Sequence, residues 1–285
     1  GVLEIPRTVR WSEHGPVFEQ GDTPYAVRWS SMDQGLRAAG QWYAMNRAES
    51  VQDLQRAMDA TAIPMFNVTY ASEDHIGFVY NGRIPDRTPG ADYTTVLPGD
   101  DPALVWDRML PYPDLPQVTD PASGWVQACN STPWLATVPD QSPDPAAFPA
   151  EAGIETTRTN RTLRTHEILA SGTKLARADL LALKWDDGLA ADSAMRRKLL
   201  APLASYQPTD PDLVRAKELL LAWDGRFQRD RVGATLAMLA WQPRAPGGHD
   251  VVSDWALEPA LLDAVTFLKT HHGRLDVPLG DVQRL

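Results

Sequence analysis

The residues able to do chemistry are few and scattered. The stretch DPASGWVQACNSTPW (Asp120–Trp134) holds the chain's one cysteine, Cys129, followed at once by Asn130. Asn130 stands between a short apolar run and a Pro133-Trp134 turn, where an asparagine ordinarily caps the turn with its own side chain. Cys129, in that apolar run, reads as a small core residue. His271-His272 offers two imidazoles at what reads as an exposed helix end, and a metal there would need further ligands. Asp100-Asp101 and Asp186-Asp187 read as solvated turns or helix caps. Asn67, Asn130 and Asn160 each open an N-x-[ST] triplet, a pattern common by chance. The sequence has no phosphate-cradling G-x-x-x-x-G-K-[ST], no G-x-G-x-x-G, no G-x-S-x-G and no H-E-x-x-H.

These residues sit in a chain of mixed elements. Residues 3–30 read as strands broken at His14-Gly15-Pro16 and Gly21-Asp22. GLRAAGQWYAMNRA and SVQDLQRAMDATA then carry helical spacing, the second with Ser50 as N-cap and Asp53 in its first turn. FNVTYAS and IGFVYNG read as two strands around a tight turn at Glu73–His75. Residues 83–124 hold too many prolines for a helix or a central strand, and GWVQAC reads as one more short buried strand. From about Arg161 onward the pattern is helical. Apolar residues recur at i, i+3, i+4 spacing, as in Leu213, Ala216, Leu220 and Trp223. Pro211 suits a first-turn position. The expectation is an α+β chain, with residues 1–150 strand-rich and 151–285 mainly helical.

Composition narrows the function classes. A hydrophobic fraction of 43% over 285 residues is enough to bury a core. A net charge of −10 without a basic stripe argues against a nucleic-acid partner. No apolar run approaches the roughly 20 residues of a membrane span, and one cysteine excludes an intrachain disulfide. The opening GVLEIPRTVRW already reads as a strand, as in a processed product or an excised piece.

Five segments in order add a resemblance. HGPV (His14–Val17), NVTYASEDHIGFVYNGRIPDR (Asn67–Arg87), LPG (Leu97–Gly99), LPYPDLPQVTDPASGWVQACNSTPW (Leu110–Trp134) and TNRTLRTHEIL (Thr159–Leu169) resemble the interior of the large β-subunit of the penicillin acylase family, the N-terminal-nucleophile (Ntn) amidohydrolases. The wording of the second and fourth segments is most similar to aculeacin acylases and acyl-homoserine lactone acylases, and implies a fatty-acyl amide substrate; across the family the N-acyl substrate is a fatty-acyl homoserine lactone, a lipopeptide or a β-lactam side chain. GDVQRL at the end also resembles a family segment. The resemblance implies a four-layer αββα core with helical and β elaborations, and a periplasmic or secreted location.

The resemblance also implies roles for residues. In the family, the hydroxyl of an N-terminal serine attacks an amide carbonyl while its own α-amine serves as base. An asparagine side-chain amide helps hold the oxyanion. The motif places that asparagine at Asn130. Arg161 matches a family arginine that orients this asparagine and the amine; an arginine opening an amphipathic helix is otherwise a surface residue. Phe66 matches a position lining the acyl pocket, core packing being its other reading. Arg87 ties down the irregular loop. Some members hold a structural Ca²⁺, and Asp140 lies near one ligand position, but the other ligands are not recoverable; no metal and no cofactor are expected. Gly1 has neither hydroxyl nor thiol, so the nucleophilic serine is expected on another acylase segment, and the chain alone is expected to be inactive. A non-catalytic scaffold or acyl-binding module with the same architecture is the alternative.

Overall fold

A computed structural model describes residues 8–172, 174–241 and 255–283. The opening heptapeptide, Gly1 included, and the last two residues of GDVQRL lie outside the described residues. The chain divides into two compact units. One runs to Ala128 and resumes over Thr132–Thr156; the other comprises Cys129–Ser131 and the chain from Thr157 onward.

The first unit opens with an antiparallel meander of β1 (Arg10–Ser12), β2 (Gly15–Gln20) and β3 (Thr23–Ala26). Its turns fall where Gly15 and Gly21 interrupt the alternation. Gly15 has φ +131°, and a Cβ there would stand 2.3 Å from the Val27 carbonyl oxygen, so HGPV needs its glycine for both conformation and space. Helices α1 (Arg37–Asn46) and α2 (Val51–Asp59) follow, with the Ser50 side chain accepting from the Asp53 amide at the start of α2.

A second antiparallel sheet holds β4 (Met65–Ala71), β5 (Ile76–Gly82) and β6 (Gln117–Thr119) in the order 4-5-6. β4 and β5 pair from Met65↔Gly82 to Ala71↔Ile76 around the turn expected from sequence. β6 lies inside the stretch read as irregular. Its pairing Gly77↔Thr119, Phe78↔Val118, Val79↔Gln117 is confined to three residues by Pro116 and Pro121, too short to leave a periodic signal. The strand expected at GWVQAC does not form. Its Gln127 amide donates to the Ala136 carbonyl and its side chain to the Leu135 carbonyl, so its partner is the 3₁₀ turn Pro133–Leu135 and no ladder can grow.

The loop between β5 and β6 is held by cations on aromatic faces. Trp106 has the Arg28 guanidinium 4.7 Å from its ring centre and that of Arg87 5.4 Å away, and Arg87 also donates to the Glu151 carbonyl. Arg87 thus ties the irregular loop down, as its sequence context suggests.

The second unit is helical: α3 (Asn160–Ala170), α4 (Arg177–Leu183), α5 (Pro211–Leu221), α6 (Val232–Trp241), α7 (Leu257–His272) and α8 (Leu279–Val282). Its core joins Leu213, Ala216 and Leu220 of α5 to Leu236 and Ala237 of α6 and to Leu261, Val265 and Leu268 of α7. Between α4 and α5, inside the stretch whose pattern reads as helical, the chain forms a π turn at Arg196–Leu200 and a 3₁₀ turn at Ala201–Ala204. Pro202 has no N–H to donate to the preceding turn, so the α ladder cannot run through it.

One buried polar network organises the first unit. Gln41 is the buried residue of α1. Its Oε1 accepts from the Ala62 and Ile63 amides (2.7 and 3.1 Å), and its Nε2 donates to Asn81 Oδ1 (2.8 Å). Asn81 donates in turn to the Met58 carbonyl (2.9 Å). Gln41→Ala strands two amides and one amide oxygen in the interior, each costing about 1–3 kcal/mol. Gln41→Glu keeps the acceptor but not the donor. Chemical denaturation is expected to show the alanine variant destabilised by about 3 kcal/mol or more. A loss under about 1 kcal/mol would mean that water replaces the network.

Candidate active site

Helix α3 builds the site from its first turn. Thr159 is the N-cap, its hydroxyl accepting from the Thr162 amide (3.2 Å). Asn160 anchors the same turn: its Oδ1 accepts from the Ala190 amide (2.9 Å) and its Nδ2 donates to the Gly188 carbonyl (3.1 Å). Arg164, one turn on, grips Asp186 with two hydrogen bonds of 2.7 and 3.1 Å. That fork holds the carboxyl of Asp186 below its ordinary pKa. Asp186 and Asp187, read as solvated turns or helix caps, sit in a turn where Asp186 also accepts from the Gly188 amide, and they receive this helix end and Arg226, which bonds Asp187 at 2.8 Å.

Against this turn lies Cys129–Ser131. Asn130 has φ +52°, a left-handed backbone that costs an ordinary L-residue about 1–2 kcal/mol and that asparagine tolerates best after glycine. Arg161 donates from Nη2 to Asn130 Oδ1 (3.1 Å). With the amide oxygen engaged, the orientation of the amide is set, and its Nδ2 donors remain for an acceptor at the exposed surface where Asn130 lies. The residues on either side are tied too. Cys129 Sγ is 3.8 Å from Thr165 Oγ1, and the Ser131 and Thr162 hydroxyls are hydrogen-bonded. Cys129 is thus half-buried against a helix and is not a strand core residue.

The structure brings Asn130 and Arg161 together. Phe66 lies on β4 in the first unit. It is 49% exposed, which removes the core-packing reading, and it meets Trp42 of α1 edge-to-face with ring centres 5.2 Å apart. Trp42, Tyr43 and Met65 are exposed as well. Apolar rings left in water at this density suit a ligand or a partner surface. Trp42 was not singled out by sequence, because a tryptophan on an amphipathic helix reads as core. Among the described residues no group of three or more His, Cys, Asp and Glu side chains is arranged to hold a metal ion, and neither Asp140 nor His271-His272 belongs to one. Among them, too, no helix is long and apolar enough to cross a membrane.

A second polar cluster closes the β4–β5 turn. His75 Nδ1 donates to Asp120 Oδ2 (2.6 Å), while Asp120 Oδ1 accepts from the Ile76 amide (2.9 Å). Ser72 Oγ accepts from the His75 backbone amide, not from the ring, so these three residues form no Ser-His-Asp relay. The pair instead clips the hairpin to the end of β6.

The penicillin amidase family model matches residues 4–263. The acyl-homoserine lactone acylase QuiP of Pseudomonas aeruginosa is 30% identical over 148 residues, 46% of this chain and 17% of that protein. The protein of the same name from Pseudomonas fluorescens is 26% identical over 222 residues, 72% of this chain and 25% of that protein. Among solved structures, the thermostable penicillin G acylase from Alcaligenes faecalis matches 97% of this chain and 60% of its own, with a TM-score of 0.67 and 15% identity. That likeness shows a shared mixed α and β fold. The chain spans a quarter or less of the length of these two curated relatives.

The clip at the hairpin is pH-dependent. The hydrogen bond to Asp120, and then its charge, raise the His75 pKa, while the same bond lowers that of Asp120. The imidazolium form is therefore favoured in the folded state. Its contribution is full below the ordinary histidine value and is lost as pH rises through the raised one. At the acid end it is lost again as Asp120 protonates. Thermal stability is expected to decline as pH rises above the ordinary histidine value of about 6.5, and His75→Gln to flatten that slope. Parallel slopes for the two proteins would place the titrating group elsewhere.

Proposed function

The chain belongs to the penicillin amidase family, and on that premise we propose that it is the part of an Ntn acylase that supplies an oxyanion donor, Asn130, for hydrolysis of the amide bond of an N-acyl compound. The observation that carries the proposal is the Arg161–Asn130 hydrogen bond at a left-handed asparagine. A donor for a developing oxyanion must be oriented before the charge appears, because reorientation during the reaction costs what the donor would contribute. Arg161 fixes the amide oxygen, and Nδ2 is left to donate.

In this proposal the nucleophile is the N-terminal serine of another segment of the same acylase. Its hydroxyl attacks the carbonyl, its α-amine takes the proton, and the carbonyl electrons move onto the oxygen that Asn130 receives. Collapse of the tetrahedral species breaks the C–N bond, and the protonated amine gives its proton to the leaving nitrogen. Arg161 keeps Asn130 aligned through both steps. The exposed rings of Phe66 and Trp42 are proposed to meet the acyl chain, whose burial is worth about 0.8 kcal/mol per methylene. The two similar acyl-homoserine lactone acylases support a fatty-acyl amide as substrate, and the aromatic surface of the first unit supports the remaining segments of the acylase as partners. A four-layer core completed by those segments and a periplasmic or secreted location are part of the same proposal.

The test is release of free fatty acid from N-acyl-homoserine lactones of graded chain length, with the whole acylase and with this chain alone. Activity is expected only in the whole enzyme. Asn130→Ala is expected to cost on the order of 10²-fold in kcat. Asn130→Gly, which suits the left-handed backbone better than any other residue, should lose as much; near-normal activity in it would show that the amide is not the donor. Failure of the whole enzyme on every acyl amide tried would favour the scaffold. Phe66→Ala is expected to lower kcat/KM roughly tenfold for N-dodecanoyl-homoserine lactone and little for the N-butanoyl compound, since a long chain has more methylenes to bury against an apolar ring. Equal losses on both would remove Phe66 from acyl recognition.

A further inference from the structure

The Ser131 and Thr162 hydroxyls are hydrogen-bonded to each other and nearly sealed from solvent, at 2% and 0% exposure, immediately after the exposed pair Asn130 and Arg161. We propose that this buried hydroxyl pair is the positioning device of the oxyanion donor: it clamps the left-handed turn at Asn130 to the first turn of α3. The proposal rests on the role assigned to Asn130 above.

The geometry favours this pair over the others. Three consecutive residues, Cys129, Asn130 and Ser131, meet Thr165, Arg161 and Thr162 of one helix. The thiol contact is long and weak, since a thiol is a poor hydrogen-bond partner. The Arg161–Asn130 bond is exposed, and water competes for both partners. Of these three bonds, the one between Ser131 and Thr162 is shielded from that competition, and a buried hydroxyl left unsatisfied costs about 1–3 kcal/mol. Thr162 cannot swing away to relieve such a loss. Its Oγ1 is 3.1 Å from Thr159 Oγ1, and its amide donates to the same Thr159 oxygen, so the N-cap, the clamp and the arginine beside it are one rigid unit. The peptide that carries Asn130 is therefore fixed at its following residue, and the direction of the Asn130 side chain follows. A displacement of about 1 Å at a catalytic group is enough to cost up to 10²-fold in rate.

Ser131→Ala in the whole acylase, assayed with N-decanoyl-homoserine lactone, is expected to lower kcat per titrated active site roughly tenfold with KM within about twofold. Thr162→Val should match it, Thr162→Ser should keep most of the activity, and Ser131→Ala/Thr162→Val should lose no more than either single change. A Ser131→Ala enzyme with a lower Tm but normal kcat per active site would mean the pair is structural only, and the proposal would fall. Asn130→Ala, run alongside, separates the two ideas. If it is also harmless, the oxyanion role is what has failed; if it collapses kcat while Ser131→Ala does not, the clamp alone is wrong. A second readout needs no turnover. Alkylation of Cys129, followed on its peptide by mass spectrometry, should accelerate several-fold in Ser131→Ala and little in Thr162→Ser, because the thiol rides on the same turn. A rate unchanged by Ser131→Ala overturns the proposal whatever the substrate.

Discussion

The left-handed backbone of Asn130 is the constraint on which the rest of the site depends. A glycine would reach φ +52° more cheaply, but a glycine has no side-chain amide to offer. The turn must therefore accept an asparagine and the small conformational cost that comes with it, and neighbouring contacts must hold it there. Those contacts come from one helix. Helix α3 begins at a threonine cap and presents Arg161, Thr162 and Thr165 to three consecutive residues of the turn. It cannot drift, because Asn160 and Arg164 lash its first turns to residues 186–190, and Arg226 holds Asp187 from the far side of that loop. The chain of fixation runs from an apolar helical core, through charged forks, to one amide.

The placement of Arg161 runs against local preference. A cation in the first turn of a helix faces the positive end of the macrodipole, and the first turn of α3 holds no acidic residue to offset it. The cost is about 0.3–1 kcal/mol. Arg158 and Arg164, on either side, each pair with an aspartate, Asp192 and Asp186. Among the described residues, Arg161 is the one of the three whose hydrogen bond goes to a neutral amide instead. A surface arginine under no other demand would gain from a carboxylate. Arg161 instead gives one hydrogen bond to Asn130, a partner that accords with the orienting role proposed for it.

Legibility in the sequence tracked how local each signal is. The alternation of β4 and β5, the cap at Ser50, the position of Pro211 and the apolar spacing of α5 are all set within a few residues, and all could be read directly. β6 could not, because three residues between prolines carry no period. GWVQAC misled because apolar and β-prone residues satisfied a strand pattern while their partner turned out to be a 3₁₀ turn. At the site, Asn130 and Arg161 are 31 residues apart, and no pattern of types links them; only the likeness of two short motifs to a known family does. Ser131, Thr162 and the His75–Asp120 clip were missed for the same reason. A serine beside an asparagine, or a histidine in a turn, is unremarkable until the fold supplies the partner.

The two units solve the problem of buried polarity in opposite ways, and the difference bears on where chemistry can be placed. The first unit threads its interior with amides, Gln41 and Asn81, whose four shortest hydrogen bonds go to two backbone amides, one carbonyl and each other. Such a network specifies one arrangement and tolerates no slack, since any lost partner leaves a buried polar atom exposed to nothing. The second unit builds its core mainly from apolar helix faces, crossed by a buried tie from the Thr235 hydroxyl to the Val277 carbonyl, and gathers another group of polar ties at the start of α3. Packing of leucines sets the helices firmly but directs no side chain to better than the tolerance of van der Waals contact. Directional control at Asn130 must then come from hydrogen bonds placed at the turn itself, and the fully shielded one among those described there is the one between Ser131 and Thr162. A rigid apolar scaffold with a few shielded polar ties at its edge is how a loop residue can be both exposed to substrate and fixed in direction.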